Sequence, residues 1–423
     1  MDCELITVGT ELLLGFVVDT NAAEMSQLLA AAGVRVRRRG TVADDPADVR
    51  QAVRAALDRS GTVILTGGLG PTKDDLTKHA VAEVFGRKLV RDQAIVDRLA
   101  AWYKQRGVAA MPPSNLVQAD VPEGATVLPN PRGTAPGLWI EDDHGRRAIL
   151  LPGVPKEMRG LMVDEVIPRL VKQIEGDEQT DRRTVIASRT VRTTGIGESA
   201  LHDKIGDLDG ALPPGITLAW LPSYDGVDLR LTAWDLAEAE AGAALQSAAA
   251  TLEQRAGRHA YGRDRDDLAA VVLRLLEERG AKLAVAESCT GGLVGSRLTA
   301  IAGSSRVFLG GVVAYHDDVK LGFLGVSADT LSLHGAVSEE TARDMAAGAA
   351  RAFGADAAVA VTGIAGPAGG SEAKPVGTVC IAARWQGADR AFRYLLPGDR
   401  EDIRRRATQL ALDALRRAVL DAA

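Results

Sequence analysis

An α/β protein of more than one domain is the fold class this sequence predicts, and three observations predict it. Strand-like and helix-like stretches alternate through residues 1–172, the pattern of a mostly parallel sheet covered by helices. Glycine turns follow the buried strand stretches. With 45 glycines and only 4% aromatics, this is an Ala/Gly/Val-rich chain with tight strand–helix connections. Its 423 residues exceed one ordinary core, so two or three domains are expected.

The elements follow in order. CELITVG (Cys3–Gly9) reads as a buried strand, and residues 21–32 as a helix closed by Gly33. VRVRRRGTV predicts a strand. Asp45 and Pro46 then supply an N-cap and an N1 proline for a helix to Arg59. TVILTGG (Thr62–Gly68) is another buried strand, and in such a sheet ligands gather at the carboxyl ends of strands. From about Gln173 the texture changes. TVIASRTVRTTG predicts a strand, ESALHDKIGDL a helix, and two further strands flank an Asp225–Gly226 turn, before a helix over residues 237–256. Residues 173–257 are thus expected to be a small α+β module, a spacer or dimerisation element with no catalytic grouping. A third unit, 258–423, opens with the amphipathic helix DDLAAVVLRLLEERG, ending at Gly280, and the strand KLAVAES. A helix stopped by Gly303 follows, then the strands DAAVAVTG and VGTVCIAARW. The last helix comes after Asp399, with Ile403, Ala407, Leu410, Ala414 and Leu415 in one core-facing stripe.

Composition narrows function. A net charge of −6 gives no global basic field for a polyanion, and no aromatic/basic stripe accompanies the local arginine runs. Direct nucleic-acid contact is therefore not expected. Three distant cysteines, Cys3, Cys289 and Cys380, form no zinc spacing and suggest a reduced compartment. The amino terminus carries acids where a secretory signal carries bases, and no apolar run is long enough to span a bilayer. A cytoplasmic protein without membrane contact is expected.

Two loops carry chemistry. TGGLGPTKDDLT (Thr66–Thr77) is neither a Walker A loop nor a dinucleotide fingerprint. Its glycine turn leads into a helix start whose N–H groups can receive phosphate oxygens, while Asp74 and Asp75 can hold a hard divalent cation. The plainer alternative is that Asp74 only caps the helix. Glu11, Asn21 and Asp44 flank neighbouring strand ends. In the third unit AESCTGG places Glu287, Ser288, Cys289 and Thr290 at a strand end before a Gly-Gly helix start. AGSSRVF adds Ser304 and Ser305, YHDDVK adds Tyr315, His316 and Lys320, and AVTGIAG adds Thr362. A lone serine at a turn is usually a cap. A serine, a nearby lysine and glycine turns offering N–H donors are the parts of a serine hydrolase.

The run GTELLLG…DTN…GGLGPTKDDLT…NLVQADVPEGATVLPNPRGTAPG…LPGVPKEM resembles the N-terminal domain of the CinA family (competence/damage-inducible protein A). That domain is itself similar to the molybdopterin-binding fold. The resemblance implies an ADP-ribose pyrophosphatase dependent on a divalent metal (Mg, Mn or Co), with Glu11, Asp44, Asp74 and Asp75 as ligands and Gly67, Gly68, Gly70 and Thr72 binding substrate. GFVVDTN departs from the family pattern and leaves the role of Asp19 open. The third unit resembles the family's C-terminal domain, similar in turn to nicotinamide mononucleotide deamidases, Ser–Lys amidohydrolases that need no cofactor. This implies Ser305 as nucleophile, Lys320 as base and Tyr315 assisting proton transfer. Ser288, with nearby backbone, would help to bind or polarise the amide, and Thr362 would line the pocket, while Thr290, Gly291, Gly292 and Gly363 would bind substrate. TTGIGES and GVDLRLTAW extend the resemblance through the middle module. The implied partners are nicotinamide mononucleotide, ADP-ribose and a second copy of the chain. The alternative is a nucleotide- or pterin-binding adaptor in competence or DNA damage.

Overall fold

The computed structural model describes residues 1–72, 74–108, 110–175, 184–208 and 210–422. Lys73 of the first loop and residues 176–183 of the expected middle module lie outside the described residues. Two compact units are present, Met1–Ala187 with Ala233–Ala243, and Ser188–Thr232 with Ala244–Ala423. Among the described residues no helix is long and apolar enough to cross a membrane.

In the first unit the strands β1 (Asp2–Val8), β2 (Arg35–Val42) and β3 (Thr62–Thr66) come first in the chain. β4 (Leu89–Arg91) and β5 (Asp120–Pro122) form a separate two-stranded sheet. β6 (Thr126–Leu128), β7 (Gly137–Glu141) and β8 (Arg147–Leu151) complete the main sheet, whose order is β2-β1-β3-β8-β7-β6. Its first four strands are parallel, and the last two are added antiparallel. β3 is buried along its whole length, as a central strand covered on both faces must be. Val63 and Leu65 enter one core and Ile64 the other. Local signals fix the helices. Asp45 accepts hydrogen bonds from the N–H groups of Ala47 and Asp48, Pro46 opens the helix Pro46–Ser60, and Gly61 closes it at φ 69°. Because β2 and β3 lie on either side of β1, the chain turns both ways from one strand, and a crevice opens at the carboxyl ends of β1 and β3.

The second unit holds most of one sheet and the whole of another. β9 (Thr184–Thr193), β10 (Ile216–Pro222), β11 (Val227–Ala237) and β12 (Ala260–Arg263) form one, in the order β10-β11-β9-β12. The other contains β13 (Leu283–Glu287), β14 (Phe308–Val313), β15 (Ala357–Gly363), β16 (Thr378–Trp385) and β17 (Ala388–Leu395), in the order β14-β13-β15-β16-β17. β13 runs parallel to both neighbours, so a second switch point falls at its carboxyl end. Side chains alternate across this sheet. Leu283, Val285, Ala357, Val359 and Val361 pack toward the final helix, Arg400–Leu420, while Ala284, Ala286, Ala358 and Ala360 face the helix Glu339–Phe353. A reciprocal capping box between Asp399 and Asp402 starts the final helix where the sequence places it.

Candidate functional site

In the first unit the predicted residues surround the crevice. Gly67 and Gly68 follow β3 with φ of 106° and 66°, and a Cβ on Gly68 would meet Thr77 Oγ1 at 2.1 Å. Only glycine lets the loop fold back so closely. Asp75 closes that loop by accepting hydrogen bonds from Gly70 N (2.6 Å), Thr72 N (2.8 Å) and the Thr72 hydroxyl. Asp74 is exposed. Neither acid caps the following helix, which begins only at Thr77. Asp44 accepts hydrogen bonds from Thr10 N and Oγ1 at 2.8 and 2.9 Å. Glu11 folds over Gly9, where a Cβ would meet its Oε1 at 2.5 Å. Asp19 caps the helix Thr20–Ala31 by accepting from Ala22 N at 2.9 Å, which gives that residue a structural role.

The four acids offer hard oxygen donors, the right chemistry for magnesium or manganese. They do not gather into a ready site, because no three His, Cys, Asp or Glu side chains converge on one point among the described residues. Sequence reasoning gave no role to Asn21, which the fold makes a central strut. Its Nδ2 donates to Gly153 O at 2.7 Å and Thr66 Oγ1 at 3.2 Å, tying the ends of β3 and β8, and its Oδ1 is buried without a partner.

In the second unit the carboxyl ends of β13, β14 and β15 collect Ser288, Thr290, Gly291, Gly292, Tyr315, Lys320, Thr362 and Gly363. Ser288 extends the ladder through its N–H to Val361 O at 2.8 Å. By alternation Ser288 and Thr362 lie on the Ala284/Ala286/Ala360 face. Lys320 belongs to the same side, since Val319, Leu324 and Val326 around it join that cluster. It is 2% exposed, and its Nζ donates to Asp317 Oδ1 (2.9 Å) and Tyr315 O (3.4 Å). A short helix, Asp317–Gly322, makes the bend that brings Lys320 back under Tyr315. His316 is spent as its N-cap, its Nδ1 accepting from Asp318 N at 3.3 Å.

Ser305 lies apart from these residues. It is exposed in the turn Ser304–Arg306, before the start of β14, and the register pairs Phe308 with Leu283 at the amino-terminal end of β13. Ser288 and Lys320 lie beyond the other end, roughly 20 Å of strand away at ~3.3 Å per residue. One chain therefore does not bring Ser305 to Lys320. Cys289 is packed in the core, and burial pushes its thiol up to about 12, so it is inert near neutral pH.

Distant residues complete this end of the sheet. The Glu287 carboxylate accepts from the N–H groups of Gly292 (2.9 Å), Val294 (3.1 Å) and Gly295 (2.8 Å), pinning the helix Leu293–Thr299 to β13. Arg404 holds the same turn through Cys289 O and Thr290 O at 3.1 and 2.9 Å. Arg400 donates to Tyr315 Oη at 2.8 Å and Gly366 O at 2.7 Å. An arginine just past a helix cap gave no sequence signal of this contact.

Two switch-point crevices on α/β sheets define a multidomain protein of enzymatic or ligand-binding type. Comparison with known proteins then places it. Residues 4–172 match the family described as a probable molybdopterin binding domain, 188–262 the damage-inducible protein CinA KH domain, and 265–419 the CinA C-terminal domain. A CinA-like protein of Gemmatimonas aurantiaca is 53% identical over 418 residues, covering 99% of this chain and 96% of that protein. A putative competence-damage inducible protein of Symbiobacterium thermophilum is 46% identical, covering 99% of both. Among solved structures, the CinA protein of unknown function from Thermoplasma acidophilum is 38% identical, with a TM-score of 0.37, covering 40% of this chain and 97% of that one. The chain belongs to the CinA family.

Proposed function

We propose that the second unit is a nicotinamide mononucleotide deamidase, releasing ammonia and nicotinate mononucleotide. The observation that carries this reading is the fully buried Lys320 at the same sheet end, and on the same face, as Ser288 and Thr362. In this proposal Ser288 Oγ attacks the carboxamide carbon while Lys320 takes the hydroxyl proton. N–H groups of the glycine turn receive the developing oxyanion, and the proton passes to the departing ammonia. Water then hydrolyses the acyl-serine. Tyr315, steadied by Arg400, assists proton transfer. Lys320→Ala and Ser288→Ala should each abolish deamidation, because nucleophile and base act as one unit. His316→Ala should leave most of the rate. Ser305→Ala should also leave most of it; a dead Ser305→Ala enzyme with an active Ser288→Ala enzyme would show that another copy of the chain supplies the nucleophile.

For the first unit we propose hydrolysis of ADP-ribose to AMP and ribose 5-phosphate, dependent on a divalent metal. Asp74, Asp44 and Glu11 are the carboxylates that would hold the ion. Bound metal would neutralise charge on the phosphates, while the chain's part is to position the diphosphate against the Gly67–Thr72 backbone. Asp74→Asn should lower hydrolysis by about a hundredfold. The absence of a gathered acid cluster among the described residues favours a second reading, in which this unit binds a nucleotide or pterin without turnover. Hydrolysis of ADP-ribose that needs added magnesium or manganese and stops with chelator would reject it. We propose a cytoplasmic homodimer, a state that light scattering on the purified chain tests directly.

A further inference from the structure

A cavity of about 400 Å³ opens in the second unit between the Gly195–Gly197 turn, the Tyr224–Gly226 turn and the final helix. It belongs to neither crevice described above. Its walls are largely apolar, with Val227, Leu396 and Leu410 beside the rings of Tyr224 and Tyr394. Into it projects Arg406, whose guanidinium lies 5.2 Å from the Tyr224 ring centroid. Neighbouring arginines of the final helix are answered: Arg404 by two carbonyls, Arg405 by Glu401, Arg417 by Asp413. Among the described residues no carboxylate pairs with Arg406, and its Nε is buried without a partner. The acid nearest in sequence to its aromatic neighbour, Asp225, faces Arg297 at 3.7 Å instead. A second donor surface adjoins it, since the helix Glu198–Ile205 starts at Gly197 with no side chain capping its first turn.

An unanswered half-buried guanidinium in an apolar, tyrosine-walled cavity is costly unless an anion arrives. A bare phosphate would leave the walls uncovered, whereas a planar ring bearing an anionic group satisfies both halves. We propose that this cavity binds a mononucleotide, with its phosphate on Arg406 and the uncapped N–H groups and its base against the tyrosines. The volume lies within the range of small-molecule sites. Glu198 at the rim opposes the phosphate and sets the affinity below what Arg406 alone would give.

Both proposed active sites also take nucleotides, so the test must be local. Hydrogen–deuterium exchange of the full chain should show residues 194–198 and 223–227 protected by AMP or nicotinate mononucleotide. That protection should persist with Lys320→Ala and Asp74→Asn, whatever those variants do to activity. Arg406→Ala should raise the ligand concentration needed by about tenfold or more, the scale of a charge-assisted hydrogen bond. Arg406→Lys should fall between, and Glu198→Gln should lower the requirement severalfold, a gain that a purely structural role cannot produce. If neither nucleotide protects these segments, or Arg406→Ala folds and is protected like the wild type, the cavity is not a nucleotide site.

Discussion

Lys78 shows how a single buried charge tunes the molecule. It is 1% exposed, and its Nζ donates to Val117 O at 2.6 Å. Burial pushes its pKa down to about 8, with Asp120 and Asp75 opposing the shift. The folded chain therefore releases this proton near pH 8, and the unfolded chain near 10.5. Between those values the unfolded state holds more protons, so this residue makes stability rise with pH across that window and level off above it. The span corresponds to about 3 kcal/mol. Lys78→Met should be more stable relative to wild type at pH 7 than at pH 10.5, while the orphaned Val117 carbonyl costs about 1 kcal/mol at both. Urea midpoints of both proteins at the two pH values measure this, and an unchanged difference rejects it. Cys289 makes the opposite kind of prediction. Cys289→Ala should keep deamidation, because a core thiol held near 12 contributes packing and no thiolate.

Among the elements, the strand–turn–helix that begins at β13 depends on Glu287. One carboxylate satisfies three N–H groups at the start of the helix Leu293–Thr299, which no side-chain cap serves. Glu287→Gln sets an amide donor against those donors and should cost roughly 2–3 kcal/mol of the second unit's stability, read as a lowered thermal midpoint. If Gln is tolerated without loss, the three bonds are not what holds the turn. Such local devices were the legible part of the sequence. Asp45 with Pro46, Asp399, and Gly33 and Gly280 announce their elements because caps and turns are settled within a few residues. Contacts across the fold were not legible. Arg400 meets Tyr315 across 85 positions, and Asn21 meets Gly153 across 132. The separation of Ser305 from Lys320 within one chain was not legible for a related reason. A motif shows which residues adjoin a strand, but the register decides which end of the sheet they occupy.

At the scale of the whole molecule, the small middle sheet and the C-terminal sheet share buried polar contacts. Gln409, 1% exposed, donates to Thr194 Oγ1 at 3.2 Å. The buried pair Arg416–Asp413 also serves the carbonyls of Arg258 and Ala260. A fragment of residues 258–423 keeps the deamidase sheet but strips Gln409 of Thr194. A fragment of residues 188–423 keeps both. We expect the shorter piece to fold with its activity and to melt at a lower temperature than the longer one. Equal midpoints would mean that the middle sheet adds nothing to the C-terminal core. An inert but folded short piece would mean that the catalytic site draws on residues outside it. The sequence marked the change of texture between these regions. It did not show that they pack as one unit, because the contacts that join them lie on the final helix, more than two hundred residues from Thr194.

The burial of Cys3, Cys289 and Cys380 has a practical use. With every native thiol buried, a cysteine introduced at an exposed position such as Ser305 would be the one fast-reacting thiol. A fluorophore or spin label could be attached there to the otherwise wild-type chain. Pairs of such labels could then measure distances between the ends of the C-terminal sheet, or between two copies of the protein, without first removing native cysteines.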